Sequence, residues 1–182
     1  VDESNIHQPY KVQSKGIGNS QILPRDYIHQ EDVEVVLSEM AEQVAIRLRR
    51  RHKKTKLISI YIGFSKYEMK SSLHCQEAIE PSNQTAILTK AVLQLFRKKY
   101  HSGAVRQIGV RYSDLVSDKY SIISLFDDPL LMEKEEKLQQ AIDGIRDEFG
   151  FLSIQKGTSL LESSRNIARS KLIGGHSAGG LE

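Results

Sequence analysis

The side chains that could carry out catalysis do not form a working set in this sequence. Residues 175–179 (GHSAG) match the turn that holds the nucleophile of many hydrolases, but no strand pattern precedes them and no acid–histidine pair follows. His74 and Cys75 are neighbours in a predicted strand, so their side chains point to opposite faces and cannot act as a couple. Because no acid, base and nucleophile come together, we predict no catalytic residues in this chain.

Metal and nucleotide sites are also not indicated by the spacing of the residues. The six histidines show no i, i+4 pairs and no clustering with carboxylates, and a single cysteine excludes a multi-cysteine zinc site. Residues 16–18 (GIG) lack the third glycine of a dinucleotide loop. Asp127 and Asp128 stand beside Pro129 and are expected at the start of a helix. We therefore predict no metal site in this chain.

The composition is that of an ordinary folded protein with an uneven charge distribution. Of the 182 residues, 39% are hydrophobic and 27% are charged, and no apolar run is long enough to cross a membrane. Residues 14–116 hold 17 Lys and Arg against 10 Asp and Glu, whereas residues 117–182 hold 8 against 11. The lone cysteine fits a reducing compartment, and we expect a cytoplasmic protein without a membrane partner.

Seven of the cations fall within residues 47–56, namely Arg47, Arg49, Arg50, Arg51, Lys53, Lys54 and Lys56. Such a run is typical of the solvated C-terminal end of a helix, where cations complement the helix dipole. It is equally typical of a nucleic-acid surface. The run alone leaves both interpretations open.

Hydrophobic periodicity predicts alternating strands and helices. Apolar residues recur at helical spacing in residues 31–52 and 84–100, and they alternate with polar residues in 57–67. The predicted elements are a strand at 14–23 that Pro24 ends, a helix at 31–52, strands at 57–67 and 72–79, a helix at 84–100, a strand at 104–112 and a third helix at 130–148. The order β-α-β-β-α-β predicts an α+β fold, in which a four-stranded sheet carries two helices on one face.

The other face of this sheet is expected to stay open. The inward residues of the two clearest strands are apolar: Ile58, Ile60, Ile62, Phe64, Ile108 and Val110. The outward residues are small, polar or cationic: Ser59, Tyr61, Gly63, Gln107, Gly109 and Arg111. Such a face suits a hydrated partner better than a second core.

Two of the predicted strands carry a family resemblance. Residues 14–27 (SKGIGNSQILPRDY) resemble the first strand, and residues 106–113 (RQIGVRYS) the last strand, of the little-finger domain of Y-family translesion DNA polymerases. The LFDDP segment and the terminal glycines look most like the Gram-positive, UmuC-like branch of the ImpB/MucB/SamB family. The resemblance covers residues 14–180.

This resemblance implies a DNA-binding module of a polymerase that acts in translesion synthesis during DNA repair and the SOS response. Such a domain lays its open sheet on primer–template DNA and grips the backbone phosphates, including those of damaged templates. Catalysis in the family belongs to a palm domain whose carboxylates bind magnesium, so we expect no enzyme activity and no cofactor in this chain. The residues implied in DNA binding are Gly16, Ile17, Gly18, Asn19, Arg106, Gln107 and Arg111.

The resemblance also divides the chain into parts. Residues 1–13 are expected to be a linker from upstream domains, 14–116 the little finger, and 117–180 a C-terminal extension with a helix and a glycine-rich tail. Residues 181–182 are expected to be a tag remnant. Because the chain starts at Val1 without a methionine, we expect it to belong to a longer protein.

Residues 122–126 (IISLF) resemble the pentapeptide by which bacterial polymerases bind the replication sliding clamp. The residues implied in clamp binding are Ile122, Ile123, Ser124, Leu125 and Phe126. Ile122 stands where glutamine is common, which removes an amide contact but keeps the Leu-Phe anchor for an apolar pocket. In the alternative interpretation, Leu125 and Phe126 pack on the chain's own helix at 130–148.

Two other functions compete with the polymerase module. A standalone RNA-binding domain of the same topology would stack bases on paired aromatic residues of its central strands, and Tyr61 is the only good candidate on the open face. A small α+β enzyme could use the open sheet as a pocket, but the catalytic set is lacking.

Overall fold

A four-stranded antiparallel sheet with two helices on one face forms the body of the molecule. The computed structural model describes residues 15–119, 129–170, 172–173 and 176–177. The elements are β1 (Gly16–Tyr27), α1 (Gln30–Arg50), β2 (Lys53–Phe64), β3 (Ser72–Ser82), α2 (Thr85–Lys99), β4 (Val105–Ser117), α3 (Pro129–Phe149), two short 3-10 turns (Phe151–Ser153 and Gly157–Leu160), α4 (Asn166–Ser170), β5 (Leu172–Ile173) and β6 (His176–Ser177). The main sheet has the order β1-β4-β2-β3, with antiparallel neighbours. The predicted α+β fold is confirmed.

The core lies between the sheet and the two helices. The predicted inward isoleucines of β2 and β4 and Val110 are buried at 0–1% exposure, whereas Phe64, at the end of β2, is only partly buried against the core. The apolar stripe of α1 that covers them is buried as well: Val33, Val36, Leu37, Met40, Val44 and Leu48. Tyr112 is buried beneath α1 and donates its hydroxyl to the carbonyl oxygen of Ala41 at 3.1 Å. Burial raises the pKa of this hydroxyl above its usual value.

The sequence predicts that the first strand ends at Pro24, but in the structure it does not end there. β1 continues to Tyr27, and its register against β4 shifts between Ile22 and Tyr27. β1 is an edge strand, so the N–H that proline lacks is not required by a second neighbour. The irregularity lets the strand pass the proline and return to the sheet.

The second strand begins earlier than its hydrophobic alternation indicated. Lys53 and Lys54 pair with Ser117 and Val116 of β4, which itself extends five residues beyond the predicted end at 112. These lysines do not alternate with apolar residues, so their strand state is not visible in a hydrophobicity pattern. The ladder between β2 and β4 holds them in the sheet.

Residues 129–170, a described part of the C-terminal extension, pack on α1 through charged side chains. Arg49 Nε lies 2.5 Å from an Asp143 carboxylate oxygen of α3. Arg146 Nη1 lies 2.8 Å from Glu42 Oε1, and these two side chains are only 5% and 6% exposed. The apolar stripe of α3 does not make this contact, because Leu138, Ile145 and Phe149 are exposed: 61%, 40% and 68%. At this contact α3 is held by ion pairs and not by its apolar side chains.

A second contact joins the extension to the middle of α1. The carboxylate of Glu39 is buried and accepts hydrogen bonds from Ser164 Oγ and from the backbone N–H of Arg165. Burial raises the pKa of Glu39 above its usual value, although these two donors act in the opposite direction. Tyr27 donates its hydroxyl to the carbonyl oxygen of Ser163 at 3.0 Å. The extension is thereby fixed to both α1 and β1.

The pair of Arg146 and Glu42 gives a test of this docking. Arg146→Ala is expected to lower the free energy of unfolding by about 3 kcal/mol, because Glu42 stays buried without its closest cation. Lys156 Nζ remains 3.1 Å from Glu42 and limits the loss. Urea denaturation measures the effect. Lys137→Ala breaks an exposed pair with Glu133 and is the control, with an expected cost below about 0.5 kcal/mol. Equal losses in the two variants would contradict a buried, docked pair.

Candidate nucleic-acid interface

The open face of the sheet is a grid of side chains that point away from α1 and α2. Its rows cross the strands in the order β1, β4, β2, β3, and the register of the ladders defines which residues share a row. The rows are Gly16, Ser113, Leu57 and Ala78; Gly18, Arg111, Ser59 and Gln76; Ser20, Gly109, Tyr61 and His74; and Ile22, Gln107, Gly63 and Ser72. The predicted outward residues of β2 and β4 are all on this face.

The grid has one full positive charge and no acidic residue. Arg111 is the only lysine or arginine at these sixteen positions, and none of them is aspartate or glutamate. Nine of them are glycine, serine or alanine, so little side-chain bulk separates the backbone from a ligand. The two middle rows, apart from Gln76, line a shallow groove of about 580 Å³ together with Gln107. A surface of this kind accepts a phosphate backbone without charge repulsion.

Arg111 lies across two glycines of the neighbouring strand. Its side chain is exposed, and its Nε donates a hydrogen bond to Ser113 Oγ at 3.3 Å. A Cβ on Gly18 would lie 3.2 Å from the Arg111 Cβ. A Cβ on Gly16 would lie 3.1 Å from the Arg111 Nε. The two glycines therefore leave space for the arginine, besides exposing the strand backbone.

Two residues of the predicted DNA-binding set have their side chains on the opposite face. Ile17 is 2% exposed and belongs to the core beneath the helices. Asn19 points towards α1, where its Nδ2 donates to Gln43 Oε1 at 3.3 Å. Side chains alternate along a strand, so a run of four consecutive residues cannot present every side chain to one ligand. From Ile17 and Asn19, only backbone atoms could contact a ligand on the open face.

Arg106 and Gln107 differ in their surroundings. Arg106 sits at an irregularity of β4, and its Nη1 lies 3.7 Å from Asp26 Oδ1. Gln107 stands on the open face beside Gly63, where an added Cβ would come within 2.9 Å of the Gln107 Cβ. Arg106 is thus partly neutralised at the end of the sheet, whereas Gln107 belongs to the grid.

Two of the cations at the end of α1 are already paired with carboxylates of the same chain. Arg49 binds Asp143 of α3 and also donates to the carbonyl oxygen of Asn83 at 2.7 Å. Arg50 pairs with Asp147. For these two arginines, the carboxylates of the extension occupy the position that a phosphate would take. The acidic tail and the basic helix end are partners within the chain.

Some residues of the open face were not in the predicted set. The sequence predicts that Tyr61 points outward. The register adds that His74 of β3 lies directly beside Tyr61, and that Gln76 lies beside Ser59. A hydrophobicity pattern shows which face of its own strand a residue takes, and it does not show which residues are its neighbours on the next strand. The row through Tyr61 and His74 therefore appears only with the fold.

Neither a metal-ligand cluster nor a membrane-spanning helix occurs among the described residues. No group of three or more His, Cys, Asp and Glu there could hold a metal ion. In the same part of the chain, no helix has the length and the apolar character needed to cross a membrane. The predicted clamp-binding residues 122–126 lie outside the described residues.

Comparison with known proteins connects these features to a family. The model of the impB/mucB/samB family C-terminal domain matches residues 14–125. A protein named for UV-damage repair, UvrX of Bacillus subtilis, is 35% identical over 177 residues, which cover 97% of this chain and 42% of UvrX. DNA polymerase IV 2 of Halalkalibacterium halodurans is 30% identical over 177 residues, and DNA polymerase IV 2 of Bacillus subtilis is 32% identical over 178; each match covers 97% of this chain and 42% of the relative. The chain spans less than half the length of these relatives.

The close approach at Gly16 gives a test of the edge geometry. A Cβ there would lie 2.8 Å from the carbonyl oxygen of Tyr112 and 2.9 Å from Ser113 Oγ, so Gly16→Ala is expected to lower the free energy of unfolding by about 1–3 kcal/mol. Gly144→Ala is the control, because nothing lies within 4 Å of its added Cβ. In the middle of α3 that change is expected to stabilise by about 0.5–1 kcal/mol. Thermal melts of both variants measure the shifts, and a neutral Gly16→Ala would show that the strands are not so close.

Proposed function

The chain belongs to the impB/mucB/samB C-terminal domain family of Y-family DNA polymerases, and from this premise we propose that its open sheet face binds the backbone phosphates of primer–template DNA. The observation that carries the proposal is the grid without acidic residues, with Arg111 laid over Gly16 and Gly18. A polyanion would meet one fixed cation and exposed strand backbone there, and no carboxylate of the grid would repel it.

The proposed contacts are to phosphates and not to bases. Phosphate contacts position a protein on DNA but carry no sequence information. Arg111 supplies a charge-assisted hydrogen bond, while the small residues around it allow backbone N–H groups to approach phosphate oxygens. Gly16, Gly18, Gln107 and Arg111 are the predicted residues that keep this role. A contact of this type suits a template whose bases are damaged.

The longer protein is proposed to be a translesion polymerase of DNA repair and the SOS response. The chain corresponds to about 42% of relatives that include DNA polymerase IV 2 of two bacteria. We assign nucleotide transfer and its magnesium to a part of the longer protein outside this chain. In this arrangement, the present chain holds the DNA while another domain carries out the chemistry.

The competing RNA-binding function depends on base stacking. Tyr61 and His74 are the only ring side chains of the grid, and they lie side by side in one row. An RNA-binding domain with two or three stacked bases would use such rings as its main contacts. Binding of a single-stranded RNA more tightly than a DNA duplex, lost in Tyr61→Ala, would favour this function over the proposed one.

Primer–template binding is expected to be weak, independent of sequence and strongly dependent on salt. With about three or four phosphates contacted, the slope of log K against log salt is expected near −3. Arg111→Ala is expected to weaken binding about tenfold for unrelated sequences and to make the slope shallower by about one. Fluorescence anisotropy of a labelled primer–template, titrated at several salt concentrations, measures both quantities.

Lys90→Ala is the matched control for the loss of one positive charge. Lys90 is exposed on α2, on the side of the sheet opposite to the grid, so its removal is expected to leave binding nearly unchanged. Equal effects of the two substitutions would exclude the open face as the binding surface. Nucleotide incorporation by the purified chain would contradict the assignment of catalysis to another domain.

The clamp-binding role of residues 122–126 is retained as a proposal that rests on their sequence. Leu125 and Phe126 would fill an apolar pocket of the clamp, and weak binding with Kd on the order of 10 μM is expected without the usual glutamine. Replacing both residues with alanine is expected to abolish clamp binding in isothermal titration and to leave DNA affinity unchanged. A large fall in melting temperature would instead indicate that these side chains pack within the chain.

A further inference from the structure

Arg47 is a cation of α1 that the extension leaves free of carboxylates. Its Nη1 donates to the carbonyl oxygen of Gly18 at 2.8 Å, and its side chain is exposed. Arg49 and Arg50, on the next part of the same helix, pair with Asp143 and Asp147. Within the described residues, Arg47 forms no ion pair with a carboxylate. Its charge is therefore held at the edge of β1 without being neutralised there.

Arg169 of α4 reaches the same edge from the C-terminal extension. Its Nη2 donates to Asn19 Oδ1 at 3.1 Å, while Asn19 is also bonded to Gln43 of α1. Burial lowers the pKa of Arg169, and the positive charge of Arg165 lowers it further, against an opposing influence of Glu39. In the described part of the chain, Arg169 has no carboxylate within ion-pair distance. Its positive charge is therefore not directly paired, although Glu39 lies near enough to influence it.

Three guanidinium groups thus lie close to two consecutive residues of the edge strand, Gly18 and Asn19. Arg111 lies over the outer face of Gly18, and Arg47 binds the carbonyl oxygen of the same residue. Arg169 binds the side chain of the next residue, Asn19. Arg47 and Arg169 both line a cleft of about 400 Å³ between α1 and the extension. The two aspartates of this cleft, at 143 and 147, are the partners of Arg49 and Arg50.

We propose that Arg47 and Arg169 bind phosphates of the DNA strand where it passes from the open face over the edge of β1. The C-terminal extension is then part of the DNA interface, although it lies beyond residues 14–125 that the family model matches. This inference rests on the proposed function, since it continues the phosphate track that begins at Arg111. An anion entering the cleft would provide the countercharge that these two arginines lack.

The test uses substitutions that remove the positive charge but leave a polar side chain with an N–H donor. Arg47→Gln and Arg169→Gln are each expected to weaken primer–template binding about five- to tenfold at ~0.1 M salt, and to make the salt slope shallower by about one. The double variant is expected to lose about two units of slope. Arg169→Lys keeps the charge and is expected to retain most of the affinity. Lys90→Gln, on α2, is the control for loss of charge elsewhere.

The outcomes separate this inference from the proposed function. If the unaltered chain fails to bind DNA at low salt, both are wrong. If Arg111→Ala weakens binding as expected but Arg47→Gln and Arg169→Gln behave like Lys90→Gln, the sheet is the interface and the extension is not. Melting curves of each variant complete the test. A loss of affinity at Arg169 that comes with a lower melting temperature and is not restored by lysine would show a structural role, and would overturn the inference for this residue.

Discussion

A four-stranded sheet with helices on one side can bury only half of its strand side chains, and water or a ligand must cover the other half. In this molecule the buried half is mainly aliphatic, and its buried tyrosines, Tyr27 and Tyr112, each donate the hydroxyl to a backbone carbonyl oxygen. The sixteen grid positions on the outer face are mainly small residues, and Arg111 is the one full charge among them. The division follows from the two-residue period of the strands. The candidate interface is therefore a direct result of the one-sided core.

Whether a cation of this chain can bind a ligand depends on whether a carboxylate of the same chain already pairs with it. The first part of the chain has an excess of Lys and Arg, and the last part has an excess of Asp and Glu. Some of these opposite charges form ion pairs where α3 lies on α1. Arg146 shows the same relation in reverse, since it is a cation of the extension buried against Glu42 of α1. Net charge alone thus overstates the number of cations available to a polyanion. The available ones lie where no carboxylate faces them.

The elements whose hydrophobic residues recur at a regular spacing could be predicted from the sequence. The alternation in β2 and the stripe of α1 each identify their buried residues, and the order of the elements identifies the α+β fold. Contacts between distant segments could not be predicted, because nothing in the spacing of residues relates Arg49 to Asp143, 94 positions later. The candidate site was predictable in its strands and in Arg111, while the inward positions of Ile17 and Asn19 and the rows across the sheet required the strand register.

The hydrogen bond between Arg47 and the carbonyl oxygen of Gly18 has a consequence for solubility. An edge strand offers unpaired N–H and C=O groups to strands of other molecules, which is a common route to aggregation. β1 counters this with Pro24, which has no N–H to offer, and with a guanidinium that already occupies one of its outer carbonyls. A strand from a second copy would have to displace that charged group before it could extend the sheet. At this position the edge of β1 is thereby protected from pairing with a strand of a second copy, while the adjoining open face stays accessible to a ligand.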